Sequence, residues 1–227
     1  MKKYVYAIIP FLCFAGPFAM SFDRRVYFIQ YIPAILVAVF SVGALYIFWD
    51  VIVTRRGHWS FNDEFVGSFR VLHLPVGEWL FFLLIPYCCL FLFEVVAVYW
   101  GIGTMLPQLS WLQYALGGLC AILAVRRRRQ GYTFMALLSV GLFFTAGALL
   151  TPGSIFAPGY MFTFFLIFLV FLLIDGIYTR LPTIHYNENE IWGIRLGTIP
   201  LEDFLYNLSY IGLVLTVYLF AKQRMNF

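Results

Sequence analysis

The sequence predicts an all-α polytopic membrane protein with seven transmembrane helices, built from two parallel three-helix repeats joined by a linker helix. Three observations carry this reading. The 227 residues are 63% hydrophobic and only 11% charged, under half the charged fraction with which soluble proteins cover their surfaces. Lipid is therefore the solvent, and a disordered chain, a disulfide scaffold and an ordinary soluble enzyme are excluded. Long uncharged stretches recur along the chain, and a shift of 125 residues without a gap lays one half over the other.

The first helix, near 4–22, follows Lys2 and Lys3 and superficially matches a signal peptide. Its length, its aromatic content and its phase in the repeat favour a retained helix. The second, near 31–49, carries Pro33 close to its start, where a missing N–H costs little. The third and fourth lie near 78–99 and 106–125. The uncharged run from Gln130 to Ile174 is too long for one crossing, and the Pro- and Gly-containing segment 151–159 divides it into helices near 132–150 and 158–175. The last helix lies near 203–220. Barrel strands would alternate over about ten residues, whereas these runs are longer and continuously apolar. Pro10, Pro17 and Pro86 mark kinks. Cys13, Cys88, Cys89 and Cys120 lie in apolar runs without CxxC spacing and read as packing residues. His58, His73 and His185 lack the spacing of a metal site.

Seven crossings put the N-terminus and three loops on one side, with Lys2, Lys3, Arg55, Arg56, Arg70, Arg126 to Arg129, Arg180 and Arg195. The other side has Arg24, Arg25, Lys222 and Arg224, a ratio of 11 to 4. The positive-inside rule makes the N-terminus cytoplasmic. The net charge of +4 belongs to these loops, and no nucleic-acid groove is implied.

Under the 125-residue shift, Asp50, Ile52, Thr54, Arg55, Asn62, Arg70, Pro75 and Leu80 fall on Asp175, Ile177, Thr179, Arg180, Asn187, Arg195, Pro200 and Leu205. Chance gives roughly two identities over such a span. Phe61 over Tyr186, Asp63 over Glu188, Glu78 over Asp203 and Trp79 over Phe204 keep their physical character. The chain thus divides into a first repeat, 1–99, a linker helix, 100–125, and a second repeat, 126–227. Four crossings separate equivalent helices, so the repeats are parallel and a cavity between them is lined from both.

Most acids gather on the cytoplasmic side. Helix N-terminal capping explains Glu78 or Asp203 singly. It does not explain adjacent Glu202 and Asp203, nor Asp50 and Asp175 at helix C-terminal ends, where the dipole disfavours a carboxylate. A carboxyl at the hydrocarbon boundary is desolvated, which favours its protonated form and suits it to acid catalysis. Arg70 and Arg195, eight residues before Glu78 and Asp203, either hold a partner carboxyl ionised or balance interfacial charge. Glu94, deep in the third helix, is a snorkelling anion, a buried polar contact or a second proton site.

The segment Pro75-Val-Gly77-Glu78-Trp79-Leu80-Phe81-Phe82, its partner Pro200-Leu-Glu202-Asp203-Phe204-Leu205-Tyr206, and the Phe61-Asn62 and Tyr186-Asn187 pairs closely resemble the integral-membrane lycopene cyclases. The resemblance spans nearly the whole chain and matches the fused form of a family that also occurs as two small bacterial subunits and as a fungal cyclase domain. It implies lycopene β-cyclase activity, an intramolecular lyase reaction that turns the ends of lycopene into β-ionone rings through γ- to β-carotene. It also implies a bacterial or archaeal cytoplasmic membrane and membrane lipid as surroundings, and leaves room for association with other carotenoid-pathway enzymes. With no Gly-rich dinucleotide motif, no cofactor or metal is expected. Glu78, Glu202, Asp203, Asp50 and Asp175 are the candidate catalytic residues. Arg70, Arg195, Asn62, Asn187, Trp79 and Phe204 are the candidate substrate-binding or charge-supporting ones. Gly77 departs from the family pattern, which has an acid there. A non-enzymatic carotenoid-binding protein and a proton-coupled transporter are the alternatives.

Overall fold

The computed structural model describes residues 4–227, so Lys2 and Lys3 lie outside the described residues. The helices, in chain order, are α1 (Val5–Met20), α2 (Ile32–Arg55), the one-turn α3 (Asp63–Val66), α4 (Val76–Tyr99), α5 (Ser110–Arg126), α6 (Gly131–Leu150), α7 (Pro158–Arg180) and α8 (Leu201–Arg224). Short strands lie between them: β1 (Trp59–Phe61), β2 (Arg70–Val71) and β3 (Leu74–Pro75) after α2, and β4 (Ile184–Tyr186), β5 (Arg195–Leu196) and β6 (Ile199–Pro200) after α7. Six described helical segments are long and apolar enough to cross a membrane, where seven were expected. The difference is α1, whose 16 residues span roughly 24 Å at 1.5 Å per residue, against the ~20 residues of a full crossing. It stops at Met20, where the Ser21 hydroxyl turns back to the Pro17 carbonyl and meets the Tyr87 hydroxyl at 2.6 Å.

Elements recur at the spacing found in the sequence. Adding 125 to the bounds of β1, β2, β3 and α4 gives those of β4, β5, β6 and α8. β1 pairs antiparallel with β4, Trp59 opposite Tyr186, Ser60 opposite His185 and Phe61 opposite Ile184. Each strand therefore meets its own counterpart. The ladder continues symmetrically, with the Asn62 N–H donating to the Thr183 carbonyl and the Asn187 N–H to the His58 carbonyl, both at 2.9 Å.

α8 packs against α2, α4 and α6, while α1 and α7 both pack against α4. α5 packs on α6 alone among the long helices in extensive contact with it. Gly117 and Gly141 allow this approach, since a Cβ on either would stand 3.2 Å from the other's carbonyl oxygen, the small-residue packing that membrane helices use where lipid supplies no hydrophobic drive. Glu94 proves to be a buried contact. It accepts from the Tyr218 hydroxyl at 2.8 Å and from Lys222 Nζ at 2.7 Å, and Lys222 also lies 3.7 Å above the Tyr31 ring.

Candidate functional site

Helical periodicity puts Glu78, Phe81, Ile85, Cys88 and Leu92 on one stripe of α4, and Ile167, Phe171, Ile174, Asp175 and Tyr178 on one stripe of α7. With Asp203, Tyr206 and Asn207 of α8, Tyr6, Cys13 and Pro17 of α1, Asp50 of α2, Tyr132 of α6 and Phe61 and Tyr186 of the strand pair, they line a cavity of about 460 Å³. The α4 stripe from Glu78 to Leu92 runs roughly 20 Å. Its Glu78 end is acidic, and the remainder is apolar and aromatic. α1 and α7 meet there through Tyr6 and Tyr178, whose ring centroids are 4.6 Å apart.

Four carboxyls, Asp50, Glu78, Asp175 and Asp203, stand at the acidic end, one from each of α2, α4, α7 and α8. Phenols hold the acids in place. Tyr6 donates to Glu78 Oε2. Tyr132 donates to Asp203 Oδ1 at 2.6 Å, Tyr186 to Asp203 Oδ2 at 2.5 Å, and Tyr206 to Asp50 Oδ1 at 3.1 Å. Burial, then the Asp203 carboxyl, push the Tyr186 phenol well above the usual tyrosine range, so it remains a donor. Asp175 Oδ2 is buried and has no protein partner. Glu78 and Asp203 do occupy the first turns of α4 and α8, but their hydrogen bonds go to phenols rather than to the free N–H groups of those turns.

The other candidates stand apart from this cluster. Glu202 is fully buried yet does not line the cavity. Its Oε1 accepts from the Thr133 hydroxyl and from the Trp192 N–H. Arg70 pairs with Asp63, and Arg195 with Glu188 at 2.7 Å, each seven residues from its partner across a loop, so neither guanidinium contacts a motif acid. Asn62 caps α3 by accepting from the Glu64 N–H at 3.0 Å. Asn187 accepts from the Asn189 N–H at 3.1 Å in a turn and donates to the Gly57 carbonyl. Trp79 Nε1 donates to the Val71 carbonyl, and Phe204 backs the cavity wall through Phe171, centroids 5.3 Å apart.

Sequence reasoning missed the phenols. Tyr186 had a signal, since it falls on Phe61 in the repeat. Tyr6 and Tyr132 are 126 residues apart, one more than the repeat offset, so the ungapped shift never aligned them.

A family model described as lycopene cyclase matches residues 3–96 and again 129–221. No curated protein and no solved structure matches the chain. The two matched stretches take in all four cavity carboxyls and leave out only the connection containing α5 and the chain ends. A carotenoid is the substrate class this implies, in keeping with an apolar cavity inside a membrane bundle, and the chain belongs to the lycopene cyclase family.

Proposed function

We propose that this protein is a lycopene β-cyclase that works by acid–base chemistry without a cofactor. The observation that carries the reading is the gathering of four carboxyls, Asp50, Glu78, Asp175 and Asp203, at one end of an otherwise apolar cavity. One carboxyl gives its proton to the terminal carbon–carbon double bond of the acyclic carotenoid. The adjacent double bond attacks the resulting tertiary cation and closes the ring. A carboxylate then removes a ring proton and leaves the double bond of a β-ionone ring. One proton enters and one leaves, so substrate and product have the same composition, as in an intramolecular lyase, and no oxidant is consumed. The aromatic faces of Phe61, Phe81 and Phe171 around the cavity suit a passing cation, which they stabilise without capturing it, and a wall of such residues keeps water from quenching it.

Lycopene reaches the cavity from the bilayer in this reading, and γ-carotene precedes β-carotene. The chain is two repeats, 1–99 and 126–227, around a linker helix, which the recurrence of element bounds at 125 residues supports. The N-terminus faces the cytoplasm of a bacterium or archaeon, supported among the described residues by nine arginines against three and Lys222 on the far side.

Detergent-purified protein supplied with lycopene in D2O, with no nucleotide or metal added, tests this. Ring formation with one deuterium retained per ring is the expected result. Rings formed without deuterium, or only after a nucleotide is added, refute the mechanism.

A further inference from the structure

Two acids stand side by side at the start of α8, and only one faces the cavity. Successive helix residues turn by about 100°, so Asp203 shares its face with Tyr206 and Asn207 of the cavity wall, and Glu202 shares its face with Ser209, seven residues on. That second face packs on α6. Ser209 Oγ lies 2.8 Å from Ser139 Oγ, and Glu202 Oε1 accepts from Thr133 Oγ1 at 2.5 Å and from the Trp192 N–H at 2.7 Å. Both donors lead to the phenols on Asp203. Thr133 follows Tyr132 directly, and Trp192 lies in the loop that leaves Tyr186.

The first half of the chain supplies an internal control. There Gly77 stands in the place of Glu202, and Ala7 follows Tyr6 as Thr133 follows Tyr132. The acid and its hydroxyl donor are missing together, yet Tyr6 still donates to Glu78. Direct packing substitutes for the missing pair, because a Cβ on Gly77 would stand 2.9 Å from the Tyr6 carbonyl carbon. In the first half the motif acid thus receives its tyrosine through backbone contact; in the second the Glu202 tie joins the bonds that the Tyr132 N–H and Gln130 Nε2 make to the Glu190 and Ile191 carbonyls.

We propose that Glu202 is a positioning residue for the cyclisation. It fastens the start of α6 to the loop before β5 and so holds Tyr132 and Tyr186 on Asp203, and it exchanges no proton with the substrate. The inference rests on the cyclase reading above and removes Glu202 from the acid–base group.

Matched amounts of folded Glu202→Ala, Glu202→Gln, Asp203→Asn and parent protein, assayed with lycopene across pH, test it. Gln keeps an acceptor oxygen for both donors and carries no ionisable proton. Glu202→Ala is expected to lose about tenfold or more in kcat, the scale of two lost hydrogen bonds. Glu202→Gln is expected to recover most of that loss with a pH profile superposable on the parent's. Hydrogen exchange in residues 187–196 is expected to quicken in Glu202→Ala and to be restored in Glu202→Gln. A folded Glu202→Gln as inactive as Asp203→Asn, or one with a displaced pH profile, overturns the proposal while the cyclase reading stands. A parent protein that closes no ring overturns both.

Discussion

Gly77→Ala is a one-carbon change with a computable consequence. The added Cβ would lie 2.9 Å from the carbonyl carbon and 3.0 Å from the carbonyl oxygen of Tyr6, and closer still to its ring. Comfortable carbon–carbon contact begins near ~3.5 Å. The obstruction is the backbone of α1, so the helix must retreat by roughly half an ångström or more rather than swing one side chain aside. Overpacking of this kind costs about 1–3 kcal/mol. The retreat also stretches the Tyr6–Glu78 hydrogen bond, which as a bond to a carboxyl is worth about 1.5–3 kcal/mol if lost entirely. Against these, alanine is the better helix former by about 1 kcal/mol. The sum is a destabilisation of about 2 kcal/mol, or ~30-fold in the folding equilibrium. Denaturant titration in mixed micelles measures it, with Gly16→Ala on α1 as the control, since a Cβ there meets nothing within 4 Å. Repeating Gly77→Ala in a Tyr6→Phe background separates the steric part from the hydrogen bond. A Gly77→Ala protein as stable as the parent refutes the argument that α1 is pressed against this glycine. The same reasoning expects Gly77→Glu, which places two consecutive acids here as at Glu202 and Asp203, to do harm.

Two further outcomes follow from groups outside the cavity. Burial holds the His58 imidazole below its ordinary range, with Glu190 opposing and Arg56 assisting, so the folded state binds its proton more weakly than the unfolded chain. The stability it contributes is fully present above the unfolded value of ~6.5 and is lost as pH falls through the lower folded value; melting curves at pH 5 and 7.5 are expected to differ less in His58→Gln than in the parent. At the other end of the bundle, Lys222→Met leaves Glu94, only 3% exposed, without its cation and is expected to cost about 3 kcal/mol. Adding Glu94→Leu is expected to recover part of that loss, as a lower-cost double variant in thermal melts would show.

The sequence made the helices and the repeat legible because both are periodic and extend over many residues. α4 and α8 begin within two residues of their expected starts, and the repeated strands stand at the expected offset. α1 was over-read because apolar residues continue past Met20 although the helix does not. Asp50, Glu78, Asp175 and Asp203 were singled out from placement alone, and the structure brings all four to one cavity wall. Glu202 was grouped with them as the neighbour of Asp203 in the two-acid motif, and the structure places it outside the cavity lining. On a helix adjacency in sequence means a different face, and the spacing of Asp203 to Tyr206 against Glu202 to Ser209 held that information. Arg70 and Arg195 each find a carboxylate in their own loop, a pairing that the eight-residue spacing to Glu78 and Asp203 did not show. The phenols reach the acids from α1, α6, β4 and α8 through contacts between elements distant in the chain, which no local pattern encodes.

The meeting of β1 with β4 bears on how the protein is made. Its paired residues lie 123 to 127 apart in the chain, and a chain emerging from the ribosome inserts Asp50 and Glu78 long before β4, Tyr132 or Tyr206 exists. Domains generally organise from the N-terminus during synthesis, so the half-made chain holds two membrane-embedded carboxyls, Asp50 and Glu78, of whose phenol donors only Tyr6 is yet present. Closing the strand pair ends that exposed interval, and late-arriving residues complete the acid cluster. A ribosome stalled after α5 therefore presents a nascent chain whose Asp50 still lacks its Tyr206 donor and whose cavity still lacks the acids of α7 and α8.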